Sequence, residues 1–187
     1  MYVESANDAA IVLAVSDYGN MDNFLTAMNQ YASKIGCTNS QFKTPNGLPQ
    51  PDQFTTAHDL TQIASEFVKR EELMKYVKMK EATVEWTRSN GSKQKRIIKN
   101  TNQLLGVYPG DIGLKTGTTT EAGQCLVTYI TRPDGDILLV LLRSKQRYSE
   151  TIELLDQGMD SIRTRSALKS ITSHPDALIS TPGFFAP

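Results

Sequence analysis

Cysteine is scarce in this chain. Its 187 residues hold only Cys37 and Cys125. Neither lies in a Cys-x-x-Cys pair or a Cys/His cluster, which argues against a structural zinc site and a disulfide framework. Both read as small hydrophobes, with one disulfide left open. No metal site and no cofactor is expected. A charge surplus is also missing, because twenty Lys and Arg balance twenty Asp and Glu. A nucleic-acid binder needs a basic excess, so no nucleic-acid partner is expected, although a local basic patch remains allowed. The longest apolar runs, residues 9–15 and 137–142, fall far short of the ~18 residues of a membrane span. No charged stretch followed by an apolar run opens the chain, so no signal peptide is read there. What remains is ordinary globular composition, 39% hydrophobic and 21% charged. The length suits one domain whose core needs no staples.

Hydrophobic spacing then divides the chain. Asn7-Asp8 can cap a helix carrying Ile11, Val12, Leu13 and Val15, which Gly19-Asn20 ends. A second helix over about 21–35 places Phe24, Leu25, Met28, Ala32 and Ile35 at helical spacing. Pro45, Gly47, Pro49 and Pro51 make 37–54 a loop. Thr56-Ala57-His58-Asp59 resembles a capping box with Asp in place of Glu. It opens a helix with Leu60, Ile63, Ala64, Phe67 and Val68 on one face, and a short helix follows at 71–77. His58 reads as a solvated first-turn residue. The period then changes from helix to strand. Residues 83–87 alternate, Asn90-Gly91 turns, and 96–99 return. Residues 111–117 are a further strand. The clearest hairpin joins 124–131 to 136–143 through Pro133-Asp134-Gly135. A last helix spans about 148–164, and the Pro-containing tail 166–187 is expected to be loosely ordered. Helices, then an antiparallel sheet, then a helix give an α+β class over residues 1–165.

Two short strings carry chemistry. Lys115-Thr116-Gly117 combines a cation, a hydroxyl and a residue without Cβ on a strand. That set suits an extended substrate ending in a carboxylate and lying along the strand edge. Ser5-Ala6-Asn7 puts a hydroxyl and an amide at a helix start, where they can relay a proton and hold a substrate amide. An N-cap would explain the same two residue types.

Together the strings point further. Ser-x-Asn and Lys-Thr-Gly are two of the three motifs of penicillin-recognising serine enzymes, the third being Ser-x-x-Lys. The segments 4–10, 42–48, 55–60, 100–105, 113–118 and 122–127 resemble, in order, those of serine D-alanyl-D-alanine carboxypeptidases. These are the low-molecular-mass penicillin-binding proteins of peptidase family S11. Asn46-Gly47-Leu48 and Asn102-Gln103-Leu104-Leu105 favour them over β-lactamases. The resemblance covers about residues 1–162. It implies an incomplete penicillin-binding/β-lactamase-like transpeptidase fold. It also implies an extracytoplasmic enzyme that binds β-lactams and cleaves peptidoglycan pentapeptide through an acyl-enzyme. By the same resemblance Ser5 shuttles a proton and Asn7 binds the substrate amide. Lys115 and Thr116 grip the terminal carboxylate, Gly117 admits the substrate backbone, and an amide near Thr118 serves the oxyanion hole.

The nucleophile motif departs from the pattern. In the family Ser-x-x-Lys precedes Ser-x-Asn by several tens of residues, whereas only four residues precede Ser5. Ser40…Lys43, Ser92…Lys95 and Ser166…Lys169 match the string but fall in a Pro-rich loop, a hairpin turn and a polar stretch. The expectation is a chain without its nucleophile segment, inactive alone, with uncovered apolar surface. A non-catalytic peptide-binding protein and a split enzyme completed by its N-terminal half are the alternatives.

Overall fold

The computed structural model describes residues 1–173, with side-chain surroundings through Lys169. Four helices come first: α1 (Asn7–Tyr18), α2 (Met21–Lys34), α3 (Ala57–Val68) and α4 (Glu71–Val77). A two-stranded ribbon, β1 (Glu81–Thr87) and β2 (Lys93–Lys99), precedes an antiparallel sheet. That sheet is β3 (Asp111–Thr119), β4 (Gly123–Arg132) and β5 (Gly135–Ser144), in that order. Helix α5 (Arg147–Ser173) closes the described chain. The α+β class and the order of elements match the expectation.

The sheet is sandwiched because β4 is apolar on both faces. Leu126 and Ile130 are fully buried with Leu155 of α5, beside Leu104 and Tyr108. Val127 and Tyr129 point the other way, against a cluster of Ala64, Met74, Val77 and Leu114 from α3, α4 and β3. Alternate residues serve opposite layers, as strand geometry dictates. Thr128 shares the α5 side and is fully buried, and its hydroxyl donates to Asp111 Oδ1 at 2.7 Å. Asn102 Nδ2 donates to Asp111 Oδ2 at 3.1 Å and the Gly113 amide to Oδ1 at 2.8 Å, so this carboxylate is fully engaged. Gly113 sits at a break in the β3–β4 register with φ 101°. A Cβ there would meet the Val77 carbonyl at 2.7 Å, so the bulge requires glycine.

Three expectations need correction. The first helix is capped by Ala6, with no side-chain cap bond. The side that this helix buries carries small residues. Ala10 and Ala14 are buried, while Val12 and Leu13 are 61% and 51% exposed, with Ile11 and Val15 also exposed. Second, Thr56 caps α3 by accepting from the Asp59 amide at 3.1 Å, but no reciprocal capping bond forms. Asp is one methylene shorter than Glu, and its carboxylate turns to the loop instead. It accepts from the Asn39 amide at 2.8 Å and the Ser40 hydroxyl at 2.7 Å. Third, α5 continues past 164 to Ser173, because nothing before Pro175 breaks a helix. Residues 174–187 lie outside the described residues. Cys37 is buried as expected, Cys125 only half-buried, and both are free thiols.

Candidate active site

Ser5 and Lys115 meet across the fold. The N-terminal residues form a turn in which the Ser5 amide donates to the Met1 carbonyl at 2.9 Å. Ser5 adopts φ 61°, a conformation unusual for a side chain with a Cβ. The segment is fixed from several sides. Val3 is buried and its carbonyl accepts from the Thr101 amide at 3.2 Å. The Tyr2 ring packs on Phe67 with centroids 5.5 Å apart, and Glu4 pairs with Arg96. This fastening brings the Ser5 hydroxyl within 2.6 Å of Lys115 Nζ, which donates to it and to the Thr116 carbonyl at 2.7 Å.

The two residues open onto a cavity of about 580 Å³. One wall is residues 114–119 of β3, an edge strand. The opposite wall carries Leu60, Ile63 and Phe67 of α3, the face that the helical spacing marked as apolar. Asn7 and the loop residues Asn46, Gly47 and Leu48 complete the mouth. Asn7 is exposed, and since Ala6 makes the N-cap its carboxamide is not spent on capping. All six residues singled out from the sequence, Ser5, Asn7, Lys115, Thr116, Gly117 and Thr118, line this one cavity.

Burial and the nearby Arg147 guanidinium pull the Lys115 ammonium down to about 8. The Thr116 hydroxyl lies 2.7 Å from the Thr101 hydroxyl. When Thr101 donates, Thr116 keeps its own proton for a ligand. At Gly117 an added Cβ would meet nothing within 4 Å, so neither packing nor φ demands glycine there. Thr118 is held from behind. Arg147 Nη1 donates to its hydroxyl at 3.0 Å, to the Gly117 carbonyl at 2.9 Å and to the Cys125 carbonyl at 3.2 Å.

Arg147 and Thr101 were not identified from the motifs. Arg147 had a signal, since a cation in the first turn of a helix opposes the macrodipole and needs a reason. Thr101 had none beyond its place in the segment 100–105. None of the three Ser-x-x-Lys strings lines the cavity. The Ser40 hydroxyl serves Asp59, Ser92 sits in the ribbon turn, and Ser166 and Lys169 lie far along α5. His58 stays solvent-facing beside Asp59, and no cluster of metal-binding side chains occurs among the described residues.

Comparison with known proteins places this arrangement. The family model described as D-alanyl-D-alanine carboxypeptidase, peptidase S11, matches residues 1–146. The chain belongs to that family. It is 30% identical over 170 residues to D-alanyl-D-alanine carboxypeptidase DacF of Bacillus subtilis, covering 89% of this chain and 43% of the relative. DacC of Escherichia coli is 32% identical over 182 residues, covering 96% and 42%. The solved Streptomyces K15 DD-transpeptidase superposes with a TM-score of 0.80 at 31% identity, covering 85% of this chain and 64% of that one. The carboxypeptidase fold expected from the motifs is therefore shown. The chain spans less than half the length of these two curated relatives. Among the described residues no helix is long and apolar enough to cross a membrane.

Proposed function

We propose that this S11 chain supplies the substrate-binding and proton-relay half of a D-alanyl-D-alanine carboxypeptidase acting on peptidoglycan stem peptides outside the cytoplasm. The observation that carries this reading is the 2.6 Å contact between Lys115 Nζ and Ser5 Oγ at an open cavity beside Thr116 and Gly117. The terminal carboxylate of the peptide sits against the Lys115 ammonium and the Thr116 hydroxyl. Asn7 holds the backbone amide, and the open side of Gly117 leaves room for the chain along the β3 edge. When the oxygen of the Ser-x-x-Lys serine has bonded to the carbonyl carbon and the peptide C–N bond breaks, the leaving nitrogen takes the Ser5 proton, and Lys115 replaces it. The amide at Thr118, on the strand braced by Arg147, faces the developing oxyanion. β-Lactams carry a carboxylate beside an acylating carbonyl and occupy the same place.

The attacking serine and its lysine come from outside the cavity residues described above. Ile11, Val12, Leu13 and Val15, exposed on the helix that Asn7 opens, suit them to a covering segment. The segment that carries Ser-x-x-Lys docks there, in the same polypeptide or in trans.

Binding of an N-acyl-D-Ala-D-Ala dipeptide, followed by amide NMR, tests the reading. Shifts clustered at Lys115–Thr118, lost when the terminal carboxylate is replaced by a carboxamide, are expected. Equal binding of acid and amide overturns the carboxylate assignment.

A further inference from the structure

The β1–β2 ribbon takes no part in the core. Among the described residues no other helix or strand packs closely on it, and its residues are exposed along most of both strands. It is rooted at its base, where the Asn100 side chain donates to the Val77 and Met79 carbonyls at 3.2 and 2.9 Å. A tight turn closes its tip, with the Arg88 amide donating to the Ser92 carbonyl at 2.9 Å. A free-standing two-stranded ribbon is marginal by itself, so this one depends on its root for order.

Its composition is unlike the rest of the chain. In a protein of zero net charge, the ribbon carries five cations, Arg88, Lys93, Lys95, Arg96 and Lys99, against the two acids Glu81 and Glu85. Among the described residues, Lys95 and Arg96 are the two of these cations in ion pairs, with Glu85 and Glu4. The register puts Val84 opposite Arg96 and Trp86 opposite Gln94, so one face presents Val84, Trp86, Gln94 and Arg96 together. Trp86, the chain's single tryptophan, is 45% exposed there. That face continues toward the cavity, because Arg96 binds Glu4, the residue before Ser5.

We propose that this ribbon is a second binding surface, and that it takes the anionic glycan-peptide polymer whose stem peptides the cavity accepts. The inference rests on the proposed function for the identity of that polymer. An indole offers an apolar plate with a polar edge on which a sugar ring can stack, while Lys93 and Lys99, on the opposite face by the same register, and Arg88 at the tip add positive charge for the carboxylates of peptide side arms. The Arg96–Glu4 contact aligns the two surfaces, so polymer held on the ribbon delivers a peptide end to Ser5 and Lys115. The ribbon's role is retention and delivery, and the cavity recognises the peptide terminus. The polar tip, Ser89, Asn90, Gly91 and Ser92, gives no apolar anchor for a bilayer.

The test is co-sedimentation of the full chain with purified insoluble peptidoglycan, with a polymer-free control, alongside the dipeptide NMR titration. Trp86→Ala and the double variant Arg88→Ser/Lys93→Ser are compared with the parent, each checked for an unchanged melting curve. The parent is expected to sediment with polymer, about fivefold less in high salt. Each ribbon variant is expected to lose at least fivefold in retention while its dipeptide shifts at Lys115–Thr118 stay unchanged. Retention equal in parent and variants overturns the proposal, as does absence of retention in the parent. Ribbon-dependent binding to phosphatidylglycerol vesicles without binding to polymer also overturns it, in favour of a membrane surface. Ribbon-dependent retention with no dipeptide shifts supports the ribbon and instead overturns the reading of the cavity.

Discussion

Binding of a carboxylate-ended peptide should weaken as Lys115 loses its proton. The ammonium titrates near 8, drawn down by burial and by Arg147. If only the charged form grips the carboxylate, its fraction falls from about 0.9 at pH 7 to about 0.1 at pH 9. The dissociation constant then rises about tenfold across that interval, or about 1.4 kcal/mol. A neutral-tailed control, the dipeptide amide, should show no such slope. The sign of the Arg147 contribution gives an internal check. Removing that positive charge in Arg147→Gln favours protonated Lys115, so the midpoint moves to higher pH. The stability effect has the opposite sense to binding. A lysine whose folded pKa lies below its unfolded value is protonated more readily in the unfolded chain between about pH 8 and 10.5. Folding stability therefore rises through that window. Isothermal titration of the dipeptide at half-unit pH steps measures the first effect. A flat dissociation constant between pH 7 and 9, or a midpoint that drops in Arg147→Gln, refutes the assignment of Lys115 as the carboxylate's partner.

Other outcomes follow from single contacts. Gly117→Ala should leave the melting temperature within a degree or two, because the new methyl meets nothing, yet cut dipeptide binding more than tenfold by filling the strand edge; an unchanged affinity excludes close approach there. Asp59→Asn should lower the melting temperature by several degrees at pH 7. The buried carboxylate is held below the usual carboxylate range chiefly by the Ser40 hydroxyl, assisted by the Asn39 amide. Its contribution is present above about pH 4 and lost as pH falls further, so parent and variant should converge in acid melts. The exposed Val12 and Leu13 should drive self-association of the isolated chain, and a Val12→Ser/Leu13→Ser variant should relieve it without loss of stability. A parent chain that sediments as a monomer throughout a concentration series contradicts this.

The elements that were legible had local signals. Thr56 gave the start of α3, and Pro133-Asp134-Gly135 gave the hairpin, observed as a two-residue turn between Arg132 and Gly135. The cavity face of α3 followed from the spacing of Leu60, Ile63 and Phe67. Which side of helix α1 is buried was not legible, because residues 9–15 are continuously apolar and an unbroken run carries no phase. The buried side of α1 is set by small residues, Ala10 and Ala14, which hydrophobicity ranks last. The cavity lining at Ser5, Asn7 and 115–118 was legible because two motifs mark both of its sides. What fixes them was not. The Thr101 hydroxyl, the Arg147 brace and the positive φ of Ser5 depend on contacts between segments distant in sequence.

The central claim is that this chain carries the carboxylate grip and proton relay without the attacking serine. The most direct test is the intact mass of the purified chain after incubation with a penicillin, alone and mixed with the Ser-x-x-Lys-bearing segment of an S11 relative. The account predicts no covalent adduct on this chain in either case, with any acylation confined to the added segment. A penicilloyl adduct mapped to a serine within these 187 residues would contradict it.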